Sequence, residues 1–252
     1  MGKETKEVVV KEDNLPMDLK FSNDLMGATE DIDNEDIVIP KIHLMQSMSD
    51  LVREDVAKIG EFRNSRTNEL LGTELEIFVF AMYKSWQVFE VSKKGKPVYV
   101  ETLDYYDNAT LQIEETMADG KQIHRDKVLG FFCLLVDELK QGGAFPYIVD
   151  FKRTSRAAGQ DLVTKFAKLK QFANLPSYAK TFKLTAKEAT NDLGSFFVKN
   201  IETGRNITAE ELPIVEAIAR QIKESRAKGK VKVDDSDIKE ESKVSVEKND
   251  KF

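Results

Sequence analysis

Between residues 73 and 83 the chain alternates: Leu75, Ile77, Val79, Ala81 and Tyr83 fall on one set of positions, and Glu74, Glu76, Phe78, Phe80 and Met82 on the other. A period of two marks a β-strand, and the second set turns from acidic to apolar midway, which predicts a strand running into the centre of a sheet. Shorter runs predict strands at residues 37–45, interrupted by Pro40, and at 59–63. Residues 86–91 and 97–101 flank the turn signal Ser92-Lys-Lys-Gly-Lys, and residues 128–139 and 147–152 flank Gly142-Gly143, so each couple predicts an antiparallel pair. The period then changes. Ser155 opens a predicted helix to Phe172 with Leu162, Phe166 and Leu169 on one face and Lys165 and Lys168 on its flank. Thr208 with Glu211 three residues later forms a capping box, followed by the stripe Leu212, Val215, Ile218, Ala219 and Ile222 and by Lys223, Arg226 and Lys228 near the helix end. Residues 178–184 and 195–201 read as two strands between these helices. The expected class is α+β: an OB-like antiparallel β-barrel or strongly bent sheet, with two helices in the C-terminal half.

Polar, aperiodic stretches bound this core. Residues 1–36 hold four lysines against eleven carboxylates and are expected to form an acidic disordered arm; residues 230–252 are expected to form a polar disordered tail. Neither has apolar surface enough to offset its ordering entropy. Residues 37–229 are left as one folded, OB-like domain. The longest apolar runs are too short to cross a bilayer, and the first thirty residues lack an apolar signal region, so a cytoplasmic protein without membrane contact is expected.

Composition narrows the chemistry. One cysteine, Cys133, and two histidines, His43 and His124, cannot build a disulfide or a His/Cys metal cage within one chain, and no cofactor or metal is expected. His124-Arg125-Asp126 matches the opening of a kinase catalytic loop, but Phe131 stands where the magnesium-binding Asn belongs, and the triplet reads as a polar turn. No Walker loop or nucleophile elbow occurs. Asp150-Phe151-Lys152 would place a carboxylate and an amine on one strand face, as metal-dependent nucleases do, with Asp137 or Glu138 as a further acid.

Charge supplies the stronger signal. Residues 151–187 carry nine Lys/Arg against the single acid Asp161, interleaved with Phe151, Phe166, Phe172, Tyr178 and Phe182. Cations that neutralise phosphates and rings that accept stacked bases are the two ingredients of single-strand binding. The expected phosphate contacts are Lys152, Arg153, Arg156, Lys165 and Lys168, and the expected platforms are Tyr83, Trp86 and Tyr178. Phe151, Phe166 and Phe182 sit at core spacing instead. Trp86 also lies near Lys84, Lys93, Lys94 and Lys96, with Tyr99, Tyr105 and Tyr106 beyond it.

The order of features, from Ile37-Val-Ile-Pro-Lys-Ile-His-Leu-Met-Gln through Gly60-Glu-Phe-Arg-Asn-Ser-Arg-Thr-Asn-Glu-Leu-Leu-Gly and Trp86 to Phe145-Pro and Arg153-Thr-Ser, resembles single-stranded-DNA-binding proteins of tailed bacteriophages over roughly residues 37–200. The resemblance implies an OB-like barrel with a basic, aromatic-lined groove that coats exposed single-stranded DNA in replication and recombination. It also implies a C-terminal aromatic, here Phe252, that docks on replication or recombination partners. The expected function is therefore non-enzymatic single-stranded DNA binding, with a metal-dependent nuclease or a virion or scaffold protein as alternatives.

Overall fold

A computed structural model describes residues 38–47, 49–91, 97–191, 194–228 and 231–233. Three short pieces open the fold: β1 (Val38–Ile39), β2 (Ile42–Leu44) and the single-turn helix α1 (Asp50–Arg53). Strands β3 (Phe62–Asn64) and β4 (Leu70–Gly72) pair with β2 in a three-stranded sheet. The long strand β5 (Glu74–Val91) follows, then β6 (Pro97–Asp104), β7 (Glu114–Thr116) and a second long strand, β8 (Gln122–Leu135). Helix α2 (Val136–Lys140), β9 (Tyr147–Phe151) and α3 (Arg156–Ala173) come next. The hairpin β10 (Lys180–Asn191) and β11 (Gly194–Asn206), α4 (Glu211–Ala227) and β12 (Lys232–Val233), which pairs in parallel with β1, complete the chain.

The main sheet has seven strands in the order β11-β10-β5-β8-β7, with β6 added to β5 and β9 added to β8. Two expectations change here. The sheet is open and is not strongly curled: its path ends at β11 on one side and β7 on the other, and those two strands do not pair. An OB-like barrel would need that closure, so the expected barrel or bent sheet is replaced by an open sheet with helices on both faces. The physical reason is that α3 and the small sheet cover one face and α4 covers the other, so the strands bury their side chains without rolling up.

Each face has its own apolar cluster. Leu75, Ile77, Val79, Leu129, Phe131 and Cys133 pack with Leu162 of α3 and with Ile42, Leu44 and Phe62 of the small sheet. On the opposite face Phe78, Leu134 and Val136 pack with Val215, and Phe132 and Ile148 with Ile222, both from α4. Burial on both faces is why Phe78 and Phe80 interrupt the acidic alternation of β5. A bulge between Val79 and Ala81 then exchanges the faces, so that Met82 packs with the Leu75 cluster and Ala81 and Tyr83, expected beside Leu75, pack on the α4 side.

Several boundaries move. The expected breaks at Lys84-Ser85 and before Val128 are absent: β5 runs through Trp86 without interruption, and β8 begins at Gln122, so His124-Arg125-Asp126 is strand rather than a polar turn. Residues 136–140 turn into α2 instead of extending the strand. The predicted capping box forms, Thr208 N donating to Glu211 Oε2 at 2.9 Å and Glu211 N to Thr208 Oγ1 at 3.3 Å. Ser155, by contrast, accepts from Lys199 N at 3.1 Å and does not cap α3 with its side chain. Helix α3 ends at Asn174, whose left-handed φ of 50° stops the helix as an αL cap ahead of Pro176.

Helix α3 approaches the sheet most closely at Gly159, where an added Cβ would lie 2.7 Å from Phe151 Cβ. Gly159→Ala should lower stability despite the better helix propensity of alanine, overpacking of about 1–3 kcal/mol exceeding a gain of about 1; a raised midpoint in urea unfolding would contradict this contact. Glu211 also receives Arg205 as a paired guanidinium, and this, with the Thr208 donors, outweighs burial and holds its carboxyl down to about 2 from 4.5. A depressed carboxyl stabilises the fold above its unfolded value and loses that contribution as pH falls from 4.5 towards 2. Glu211→Gln should accordingly lower the melting temperature at pH 7 and match the parent near pH 2, followed by circular dichroism.

Candidate nucleic-acid interface

Beyond Tyr83 the β5–β8 ladder continues past the α4 side of the core, with Lys84 opposite Leu129, Ser85 opposite Val128 and Trp86 opposite Lys127. Side chains alternate across a strand, so Lys84 and Trp86 share one face with Lys127 and Leu129, while Ser85, Gln87 and Asp126 share the other. The first of these faces looks towards the start of α3. Between them lies a groove of about 310 Å³ lined by Lys84, Tyr105, Lys127 and Leu129 from the sheet side and by Arg156, Gln160, Val163 and Thr164 from α3.

The groove is cationic and aromatic. Tyr105 stacks on Trp86 with centroids 5.7 Å apart and planes 29° from parallel. Lys127 Nζ lies 4.8 Å from the Trp86 ring centre and 5.5 Å from that of Tyr105, and Lys84 Nζ lies 5.8 and 5.7 Å from Tyr105 and Tyr106. No Asp or Glu lines the groove among the described residues. The two ammonium groups therefore rest on π faces, an attraction of about 0.5–1 kcal/mol at exposed sites, rather than on carboxylates. Arg156 Nε is buried with no hydrogen-bond partner among the described residues. Such a donor costs roughly 1–3 kcal/mol until an acceptor reaches it.

The expected phosphate contacts do not form one track. Lys152 and Arg153 turn to the other face: Lys152 Nζ donates to Gln87 Oε1 at 3.1 Å, and Arg153 Nε pairs with Asp126 at 2.6 Å while its guanidinium sits over Phe89. Arg153 has a left-handed φ of 48°, and its one-turn 3-10 segment carries the chain from the end of β9 into α3. Arg156 is in the groove. Lys165 lies nine residues further along α3, about half a turn round the helix from it, and is paired with Asp161. Lys168 is exposed between those two flanks.

The expected platforms are committed elsewhere. Trp86 is fully buried, donating from Nε1 to Asn108 O at 3.1 Å, and Tyr105 covers it. Tyr83 donates to Asp150 Oδ1 at 2.8 Å and its ring fills the space over Gly130, where a Cβ would sit 2.1 Å away. Tyr178 packs beside α4, its hydroxyl 3.4 Å from Glu216. Burial and this neighbouring carboxylate push the Tyr178 phenol up. Phe151, Phe166 and Phe182 belong to the core. Lys93, Lys94, Lys96 and Phe252 lie outside the described residues. Beside the groove Tyr106 is 69% exposed and Tyr105 half-buried. Lys127 was missed by the sequence reading; carrying the β8 alternation back through Asp126 would have found it.

Asp150 and Lys152 do share a strand face, but the carboxylate is enclosed. Burial alone would raise its pKa; Lys41, whose Nζ is 3.5 Å away, together with Lys199, the Tyr83 hydroxyl and Lys152, outweighs that and lowers it. Asp137 pairs with Lys140, and Glu138 accepts from the Tyr147 hydroxyl at 2.5 Å. No three His, Cys, Asp or Glu side chains converge as a metal site among the described residues. A second cleft, on the Asp126 side of the ladder, mixes Glu114 and Glu115 with His124 and Arg153, so it offers an anion no net advantage. Among the described residues no helix is long and apolar enough to cross a membrane.

Neither a curated protein nor a solved structure matches the chain. A family model does match, that of the Pam3 phage gp34-like protein, over residues 10–232. The resemblance to barrel-forming single-stranded-DNA-binding proteins is thereby corrected, because the sheet lacks the closure that resemblance implied and the matching family is a different one. The phage connection stays, and the chain belongs to the Pam3 phage gp34-like protein family.

Proposed function

We propose that the protein binds single-stranded nucleic acid, on an open sheet flanked by a helix rather than in a barrel groove. The observation that carries this reading is the groove between α3 and the β5–β8 ladder, where Lys84, Lys127 and Arg156 meet the Tyr105 ring with no lining carboxylate among the described residues. Phosphates neutralised there release counterions, and an aromatic face accepts a base without regard to its identity. The role is binding and not strand cleavage: the one carboxylate placed for metal-assisted hydrolysis, Asp150, is held between Lys41 and Tyr83. In a phage protein the natural strand is one exposed during replication or recombination of the viral genome.

The reading predicts steep salt dependence. Fluorescence anisotropy of a labelled, unstructured oligonucleotide should give an association constant that falls as salt rises, with a log–log slope of about −0.7 for each phosphate neutralised. Lys84→Gln should weaken binding at low salt and make that slope shallower. Absent binding at low salt rejects the proposal. Magnesium-dependent shortening of the label would favour a nuclease instead, and a large oligomer indifferent to DNA in light scattering would favour a virion or scaffold protein.

A further inference from the structure

We propose that the groove is a pocket for one unpaired nucleotide, its phosphate taken by Arg156 with Lys84 and Lys127 and its base laid against Tyr105. This deepens the reading above and rests on it. Three features of the groove separate a nucleotide from a bare anion or an arbitrary polyanion. The first is the donor set. Arg156 opens α3 with its Nε buried and unpartnered, while Lys84 and Lys127 reach the same space from adjacent strands, so cations converge from opposite walls on one acceptor group. A planar guanidinium with two flanking ammonium groups suits a phosphate, which has several acceptor oxygens for them to share.

The second feature is the floor. Tyr105 is braced from behind by the buried Trp86 ring, and Trp86 is fixed in turn by its bond to Asn108 O. A ring held in place this way loses little freedom when a base stacks on it. The lysines now lying over Tyr105 can swing to the phosphate, which leaves the ring face for the base. The third feature is size: about 310 Å³ between the helix and the ladder is at the lower end of small-ligand pockets and accommodates one nucleotide unit rather than a duplex. Inside a duplex each base is covered by its neighbours and would have to leave the stack to reach Tyr105. The pocket therefore selects unpaired nucleotides by geometry, without reading sequence.

Trp86 makes the test specific, because it is the chain's one tryptophan and stacks behind Tyr105, the ring proposed to take the base. Its emission is followed while the full chain is titrated with adenosine monophosphate, with ribose 5-phosphate and with inorganic phosphate. The nucleotide should change the emission saturably, and ribose 5-phosphate should bind roughly five- to a hundred-fold more weakly for want of a stacked base. Arg156→Gln should weaken the nucleotide about tenfold or more. Lys127→Gln serves as a second variant, and each variant is checked by its circular dichroism. Equal affinity for inorganic phosphate and nucleotide overturns the role of Tyr105. An oligonucleotide that binds by anisotropy while Trp86 stays silent and Arg156→Gln has no effect overturns the pocket but leaves strand binding standing. A nucleotide that binds where no oligonucleotide does supports the pocket and removes the strand.

Discussion

The molecule depends on the ladder between β5 and β8, paired from Ile77 opposite Leu135 to Val91 opposite Gln122. Its first half is the core of the protein, covered by α3 and the small sheet on one face and by α4 on the other. Its second half runs on beside the start of α3, where the groove lies. A strand pair this long has its backbone groups satisfied by its own ladder, so it can leave the core without exposing unpaired amides. Its far half nevertheless stays largely buried, Trp86 and Phe89 together with the polar Ser85, Gln87, Arg125 and Asp126, while Lys84 and Lys127 are half-buried at the groove. The candidate groove lies where this half of the ladder meets the start of α3.

Charge is distributed to suit that geometry. Where β9 meets β8 at Gly130, a buried carboxylate, Asp150, gathers Lys41 and the Tyr83 hydroxyl, while Lys199 Nζ donates to Asp150 O at 2.8 Å and to Ile42 O at 3.3 Å. These contacts tie β2, β9 and β11 together and use cations for cohesion. On the far half, Asp126 takes Arg153 on one face. Among the described residues no such acid lines the groove on the opposite face, and there the cations settle on aromatic rings instead. Cations bound to carboxylates already have their charge answered. Cations resting on rings are attracted weakly enough to change partner, and the proposed binding role of this face rests on that difference.

In an open sheet the helix–sheet junction supplies the concavity, with α3 as one wall and the ladder as the other. The close approach at Gly159 sets the width of that junction.

The sequence by itself determined the elements that depend on neighbours along the chain. The stripe of α3 and the Thr208–Glu211 capping box are local and appear where their residues place them, while the period of two in β5 holds up to the bulge between Val79 and Ala81, where its faces exchange. The excess of cations over residues 151–187 was equally legible, since composition needs no fold. Only the tertiary structure decided whether the sheet closed, because closure depends on whether distant strands such as β11 and β7 meet. It also decided where the cations point. Lys152, Arg153 and Arg156 lie within five positions of one another, yet strand alternation and the left-handed turn at Arg153 send the first two to one face and the third to the other. Their true companions, Lys84, Tyr105 and Lys127, are remote in sequence and arrive through strand pairing, a long-range register that no local pattern encodes.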